Sequence, residues 1–295
     1  MAATSSPPSQ VETLQRGELA TLRLAGELST LEIALQGAQV IDWTRPGTPP
    51  VLFLSPHSTY APGKSIRGGV PLVFPWFGPR AGEPAAPQHG FARARIWRLR
   101  SASVLRGGAC GVSMRTADDE STRAPWPHAF ASVFSASADR QLRMALEIRN
   151  TGNAAFSFEA ALHTYLCVSD VRRVDVRGLE NTEYIDKVDR GVRKREGNVP
   201  IAFTGETDRV YQDTASDCVV EDPGWKRRIV VSKSGSRSTV VWNPWKDKSR
   251  AMGDLGEDGW TGMLCIETAN AFGDARTLAP GETHVLEAVI AVEQD

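Results

Sequence analysis

The chain has 295 residues, longer than most single domains but within the size that a β-sandwich or barrel reaches as one unit. Hydrophobic residues make up 41% of it, enough for a large core, which excludes global disorder. Lys and Arg total 34 against 35 Asp and Glu, a net charge of -1, so no global field draws nucleic acid or an anionic membrane and any anion site must be local.

The opening residues, MAATSSPPSQ, carry neither a basic segment nor an apolar core and do not read as a signal peptide. A flexible tail is expected over residues 1–15 and one folded domain over residues 16–295. Short runs of period-two alternation then recur: Leu28 to Leu35, Ala38 to Trp43, Ala131 to Ser137, Leu142 to Ile148, Ile229 to Ser232, Thr239 to Trp242 and His284 to Val292. Asn150-Thr151-Gly152-Asn153 reads as a hairpin turn between two such runs. No stretch of twelve or more residues has helical periodicity, and 26 Gly and 18 Pro are spread without a linker. The pattern predicts an all-β fold, a single antiparallel sandwich with few short helices. No apolar run is long enough to span a bilayer. Cys110, Cys167, Cys218 and Cys265 form no C-x-x-C pair, so free buried thiols in the reducing cytosol are expected rather than a zinc site.

Ile66-Arg67-Gly68-Gly69 opens a Gly- and Pro-rich loop that ends in aromatics. Its glycines let backbone approach a ligand, and Arg67 could grip an anion bidentately; a structural loop with a surface Arg is an equal reading. Gln88-His89-Gly90-Phe91-Ala92-Arg93 repeats the theme, although a Gly after a His often marks only a turn. Asp208 could hold sugar hydroxyls, and Asp in such a position is more often a turn residue. The basic run Lys187 to Arg195 lacks interleaved aromatics and reads as a solvated loop between strands. Of the eight tryptophans, Trp76, Trp242 and Trp245 lie beside Pro or Gly, where an indole could stack on a pyranose; for each one core packing is the better reading.

His163 and Glu267 sit inside apolar runs, Ala160 to Leu166 and Met263 to Ala269. A carboxylate so placed faces solvent or a pocket, and in a pocket its pKa moves towards neutrality, where it becomes a usable base. One His and one Glu suffice to take a proton at one atom and give one at another. No nucleotide loop, H-E-x-x-H metal motif or G-x-S-x-G elbow occurs.

Taken together, IRGGVPLVFPWFGP, QHGFARARIW, ALHTYLCV, GETDRVY and WNPW followed by Glu267 resemble the hexose-6-phosphate mutarotases of the aldose 1-epimerase, or galactose-mutarotase-like, superfamily, in order and at similar separations from about Gly17 to Val292. The resemblance implies a supersandwich with a cleft on one concave face and no metal or organic cofactor. It also implies His163 and Glu267 as catalytic residues, with Arg67, Gln88, His89, Arg93 and Asp208 binding substrate. The implied partner is a small hexose 6-phosphate, with no nucleic acid or membrane partner, and a monomer is expected. Glu267 would be the base at O1 and His163 the acid at the ring oxygen, with pKa values straddling neutrality. The alternatives are a non-catalytic sugar-phosphate binder on the same fold, an aldose 1-epimerase for unphosphorylated sugars, and, last, a glycoside hydrolase or lyase, for which only Asp208 could partner Glu267.

Overall fold

The computed structural model describes residues 10–294, which form antiparallel sheets of four, two, eight and nine strands. Every run expected to be a strand is one. In the nine-stranded sheet, Thr283–Gln294 lies between Arg227–Ser234 and Gln141–Asn150, and Gln141–Asn150 pairs onward with Phe130–Ala138. Buried and open residues alternate along the last two strands, because only one face packs inward.

The eight-stranded sheet is ordered Val192–Arg195, Glu183–Asp186, Thr207–Tyr211, Ser238–Asn243, Met263–Asn270, Ala160–Leu162 and Leu72–Val73, with Tyr165–Cys167 also pairing Met263–Asn270. Val241, Leu264, Ile266 and Leu162 join Phe134, Leu146, Ile229 and Leu286 in the main core between the two large sheets. The alternate residues, among them Val240, Trp242, Cys265, Ala161 and Tyr165, form a second cluster on the other face. Covered on both sides, Met263–Asn270 and Ser238–Asn243 are buried at every position.

Two expectations are corrected. Asn150 to Asn153 is not a hairpin: the next strand, Phe156–Phe158, pairs with Arg276–Leu278 in the two-stranded sheet. The buried Asn150 side chain steers the chain out, donating to the carbonyls of Ala154 and Leu278 and accepting from the Gly152 N–H. The expected tail is too long, because Gln10–Arg16 pairs in full register with Leu19–Ala25; residues 1–9 lie outside the described residues. The longest helix among the described residues is the seven-residue Trp245–Ala251, and no helix there is long and apolar enough to cross a membrane. The four cysteines are free, three of them buried and Cys167 half-buried.

The end of Tyr165–Cys167 is anchored by a fully buried ion pair, Arg227 Nε to Asp222 Oδ2 at 3.2 Å, with Arg227 Nη2 donating to the Cys167 carbonyl at 2.6 Å. Asp222→Ala would leave that guanidinium buried without its carboxylate, which costs about 3–5 kcal/mol. The expected result is a lower denaturant midpoint at an unchanged m-value; an unmoved midpoint would show that the pair contributes nothing.

Candidate active site

The strands Ala160–Leu162 and Tyr165–Cys167 pair with Met263–Asn270 in one continuous register, Leu162 opposite Thr268 and Tyr165 opposite Cys265. His163 therefore falls opposite Glu267. Val240 lies opposite Glu267 on the other side, and Asp208 opposite Trp242 one strand further. Period-two geometry puts these side chains on the face turned away from the main core. That face floors a cleft of about 550 Å³, and Arg67, Gln88, His89, Arg93, His163, Asp208 and Glu267 all line it.

The loops supply the walls. Gly69 and Gly90 both have positive φ, and a Cβ would lie 2.2 Å from the Val40 oxygen at the first and 2.0 Å from the Phe74 oxygen at the second. The turns presenting Arg67 and His89 thus accept only glycine. Arg67 donates through Nε and Nη2 to Asp254 Oδ2 (3.1 and 2.9 Å) and through Nη1 to the Tyr165 hydroxyl (2.9 Å). Arg93 donates to the Gln88 carbonyl at 2.6 Å and has no carboxylate partner among the described residues.

His163 Nδ1 and Glu267 Oε1 are 3.3 Å apart, both residues buried, and His163 stacks on Tyr165 at 4.8 Å between ring centroids. The alignment falls short of a hydrogen bond, which leaves His163 Nδ1 a buried polar atom without a partner among the described residues, as is Glu267 Oε2. Burial pushes Glu267 well above the ordinary carboxylate range. Burial, then His89, Arg93, Arg67 and Lys187, pushes His163 well below the ordinary imidazole range. His89 is lowered to about 3, first by burial and then by Arg93, Lys187 and Arg67. Its Nδ1 accepts from the Gly78 N–H at 3.2 Å, which leaves the proton on Nε2 and makes His89 a neutral donor. Asp208 is raised by burial, against the pull of Lys187 at 3.2 Å.

The model of the "Aldose 1-epimerase" family matches residues 20–291. The chain belongs to the aldose 1-epimerase family. It is 36% identical over 259 residues, 85% of this chain and 78% of the relative, to a "Putative glucose-6-phosphate 1-epimerase" of Cenchrus ciliaris. A protein of the same name from Escherichia coli is 34% identical over 256 residues, 87% of this chain and 85% of its own. A crystal structure titled a "putative mutarotase" from Salmonella typhimurium superposes with a TM-score of 0.91 at 30% identity, covering 98% of this chain and 95% of that one. The fold is the galactose-mutarotase-like all-β fold, and the family's activity is that of an isomerase.

In this aldose 1-epimerase family chain the sequence reading missed several cleft residues. Lys187 was expected in a solvated loop; instead Val192–Arg195 is an edge strand on Glu183–Asp186, and Lys187 follows the latter into the cleft. Phe77, Tyr165 and Lys248 line it too, and Asp254 holds Arg67. Of the three tryptophans weighed for stacking, Trp242 lines the cleft. Trp76 does not and donates to the Pro87 carbonyl, and Trp245 packs on Trp260. His163, Cys265 and Glu267 offer three potential metal-ligand atoms within 4.8 Å of one another. Burial pushes the Cys265 thiol well up, so in the free cleft it is protonated.

Proposed function

We propose that the chain interconverts the α and β anomers of hexose 6-phosphates, glucose 6-phosphate foremost, by cofactor-free acid–base ring opening at Glu267 and His163. The observation that carries this reading is the buried pair 3.3 Å apart, on the floor of a cleft whose walls hold Arg67, Arg93, Lys187 and Lys248. The names of the relatives at 34–36% identity support the phosphorylated substrate. Arg93 and Arg67 would take the 6-phosphate, since each well-formed charged hydrogen bond to it contributes about 1.5–3 kcal/mol. His89 Nε2–H, Asp208 and Gln88 would hold the sugar oxygens.

Ring opening removes the proton from the C1 hydroxyl, breaks the bond from C1 to the ring oxygen and protonates that oxygen. Rotation about the bond from C1 to C2 turns the aldehyde over, and closure reverses both transfers. The pair must hold one proton throughout. In the closed-ring complex it is carboxylate and imidazolium; with the ring open it is carboxylic acid and neutral imidazole. The directions of both pKa shifts favour the second distribution in the free cleft. A phosphate dianion offsets the Arg93 and Arg67 charges that oppose the imidazolium, and so readies the first.

These directions assign the two limbs of the pH–rate profile. As pH falls, the second proton goes onto His163, below the ordinary histidine range; as pH rises, the last proton leaves Glu267, above the ordinary carboxylate range. Histidine ¹⁵N shifts should show His163 neutral at pH 7 in the free protein and shifted towards imidazolium on adding glucose 6-phosphate. An imidazolium at pH 7 without substrate would refute the assignment.

Magnetisation exchange between the two anomers tests the function itself. Acceleration is expected for glucose 6-phosphate and far less for glucose. Equal turnover of both would make this an aldose 1-epimerase for plain sugars, and binding without exchange would leave a sugar-phosphate binder. The reading includes a monomer in the cytosol, checked by sedimentation and fractionation.

A further inference from the structure

Lys187 has a place in the cleft that no motif assigns. Its backbone N–H donates to the Asp208 carbonyl at 2.8 Å, and its Nζ lies 3.2 Å from Asp208 Oδ2, so it is attached to Asp208 at two points. The ammonium also sits over the Phe77 ring, 5.3 Å from its centroid, a favourable placement that narrows its freedom. Phe77 is itself fixed: Glu159 accepts from its N–H at 3.0 Å and from that of Phe272 at 2.7 Å. The result is a pre-positioned cationic donor beside an anionic acceptor, both lining the cleft.

A hydroxyl is both donor and acceptor, so two hydroxyls on neighbouring ring carbons match an ammonium–carboxylate pair: one donates to Asp208 while the oxygen of the other accepts from Lys187. The 3.2 Å gap is comparable to the spacing of neighbouring hydroxyl oxygens on a pyranose. A phosphate dianion suits this wall poorly, because it would sit against the Asp208 carboxylate. The wall of Arg67 and Arg93 suits it better, since Arg93 carries no carboxylate and Asp254 does not line the cleft. We infer that Lys187 is a specificity-determining residue which, with Asp208, reads a vicinal diol of the sugar ring at the end away from the phosphate; the inference rests on the hexose 6-phosphate reading above.

The test uses anomer exchange on glucose 6-phosphate, on its 2-deoxy, 3-deoxy and 4-deoxy analogues, and on free glucose, for wild type, Lys187→Met, Lys187→Arg, Asp208→Asn and Asp208→Asn/Lys187→Met. Lys187→Met should raise KM for glucose 6-phosphate about tenfold or more with kcat little changed, the pattern of lost binding. For one deoxy sugar, the one lacking the hydroxyl that Lys187 contacts, wild type should already show the high KM and the substitution should add nothing. Lys187→Arg should recover part of the loss, and the double variant should lose less than the sum of its parts. An equal loss on all three deoxy sugars would overturn the inference, and so would a loss confined to phosphorylated sugars, which would make Lys187 a phosphate ligand. Absence of wild-type exchange on glucose 6-phosphate would overturn the parent reading instead, and this inference with it.

Discussion

Glu267→Gln and His163→Ala are each expected to slow anomer exchange at saturating glucose 6-phosphate by about 10²–10⁴-fold, the usual contribution of one positioned proton-transfer group. Both side chains are buried on a sheet face, opposite each other and 3.3 Å apart. Neither holds the fold together by a hydrogen bond, since Glu267 Oε2 and His163 Nδ1 lack partners. Glu267→Gln is nearly isosteric and removes a group whose ionised form burial already disfavours, so folding should survive and denaturation should confirm it. Because ring opening needs one residue to take a proton as the other gives one, the double variant should be little slower than the worse single one. A single variant with near wild-type exchange would remove that residue from the relay. Additive losses would mean that the two act in separate steps.

How much of this was legible in the sequence follows from which faces are covered. Phe130–Ala138 and Gln141–Asn150 lie in a sheet with one inward face, so their buried residues alternate and the strands are plain in the sequence. Met263–Asn270 is covered on both faces and carries no alternation; there the sign was a lone carboxylate in an apolar run. Glu267 and His163 stood out for the reason that makes them chemically useful, a charge where burial disfavours one. Arg67, Gln88, His89, Arg93 and Asp208 lie in segments that read equally well or better as turns and loops, so their site role rested on the family resemblance, and the structure brings all five into the same cleft. Lys187 was misread because a cation in KVDRGVRKR looks like its neighbours. What singles it out is the register, which places its N–H on the Asp208 carbonyl across twenty residues of chain, and no local pattern encodes that. Asn150 failed for the opposite reason: its turn chemistry was read correctly, but its side chain is also committed to the Leu278 carbonyl on a different strand.

Phosphate selectivity should rest on Arg93 more cleanly than on Arg67. Arg67 is bound to Asp254 and to the Tyr165 hydroxyl, and Tyr165 stacks on His163, so Arg67→Ala disturbs the catalytic imidazole as well as any anion contact. Its loss should appear on glucose as well as on glucose 6-phosphate, and be larger on the phosphorylated sugar. Among the described residues Arg93 is held only by the Gln88 carbonyl, and burial pulls its pKa down while leaving it cationic, a guanidinium poised for an anion. Arg93→Ala should cost about tenfold to a hundredfold in kcat/KM for glucose 6-phosphate, the equivalent of one or two charged hydrogen bonds. Phosphate held away from the reacting carbon also positions the ring, so kcat should fall together with the rise in KM. Activity on glucose, which has nothing for Arg93 to hold, should barely change, and measuring it in the same sample excludes misfolding. Removing Arg93 also takes away one of the charges that oppose the His163 imidazolium, so the acidic limb of the pH profile on glucose should move up in pH. Equal losses on the two sugars would show that Arg93 supports the cleft without contacting phosphate. A rise in KM at constant kcat would show that the phosphate tethers the sugar but does not orient it.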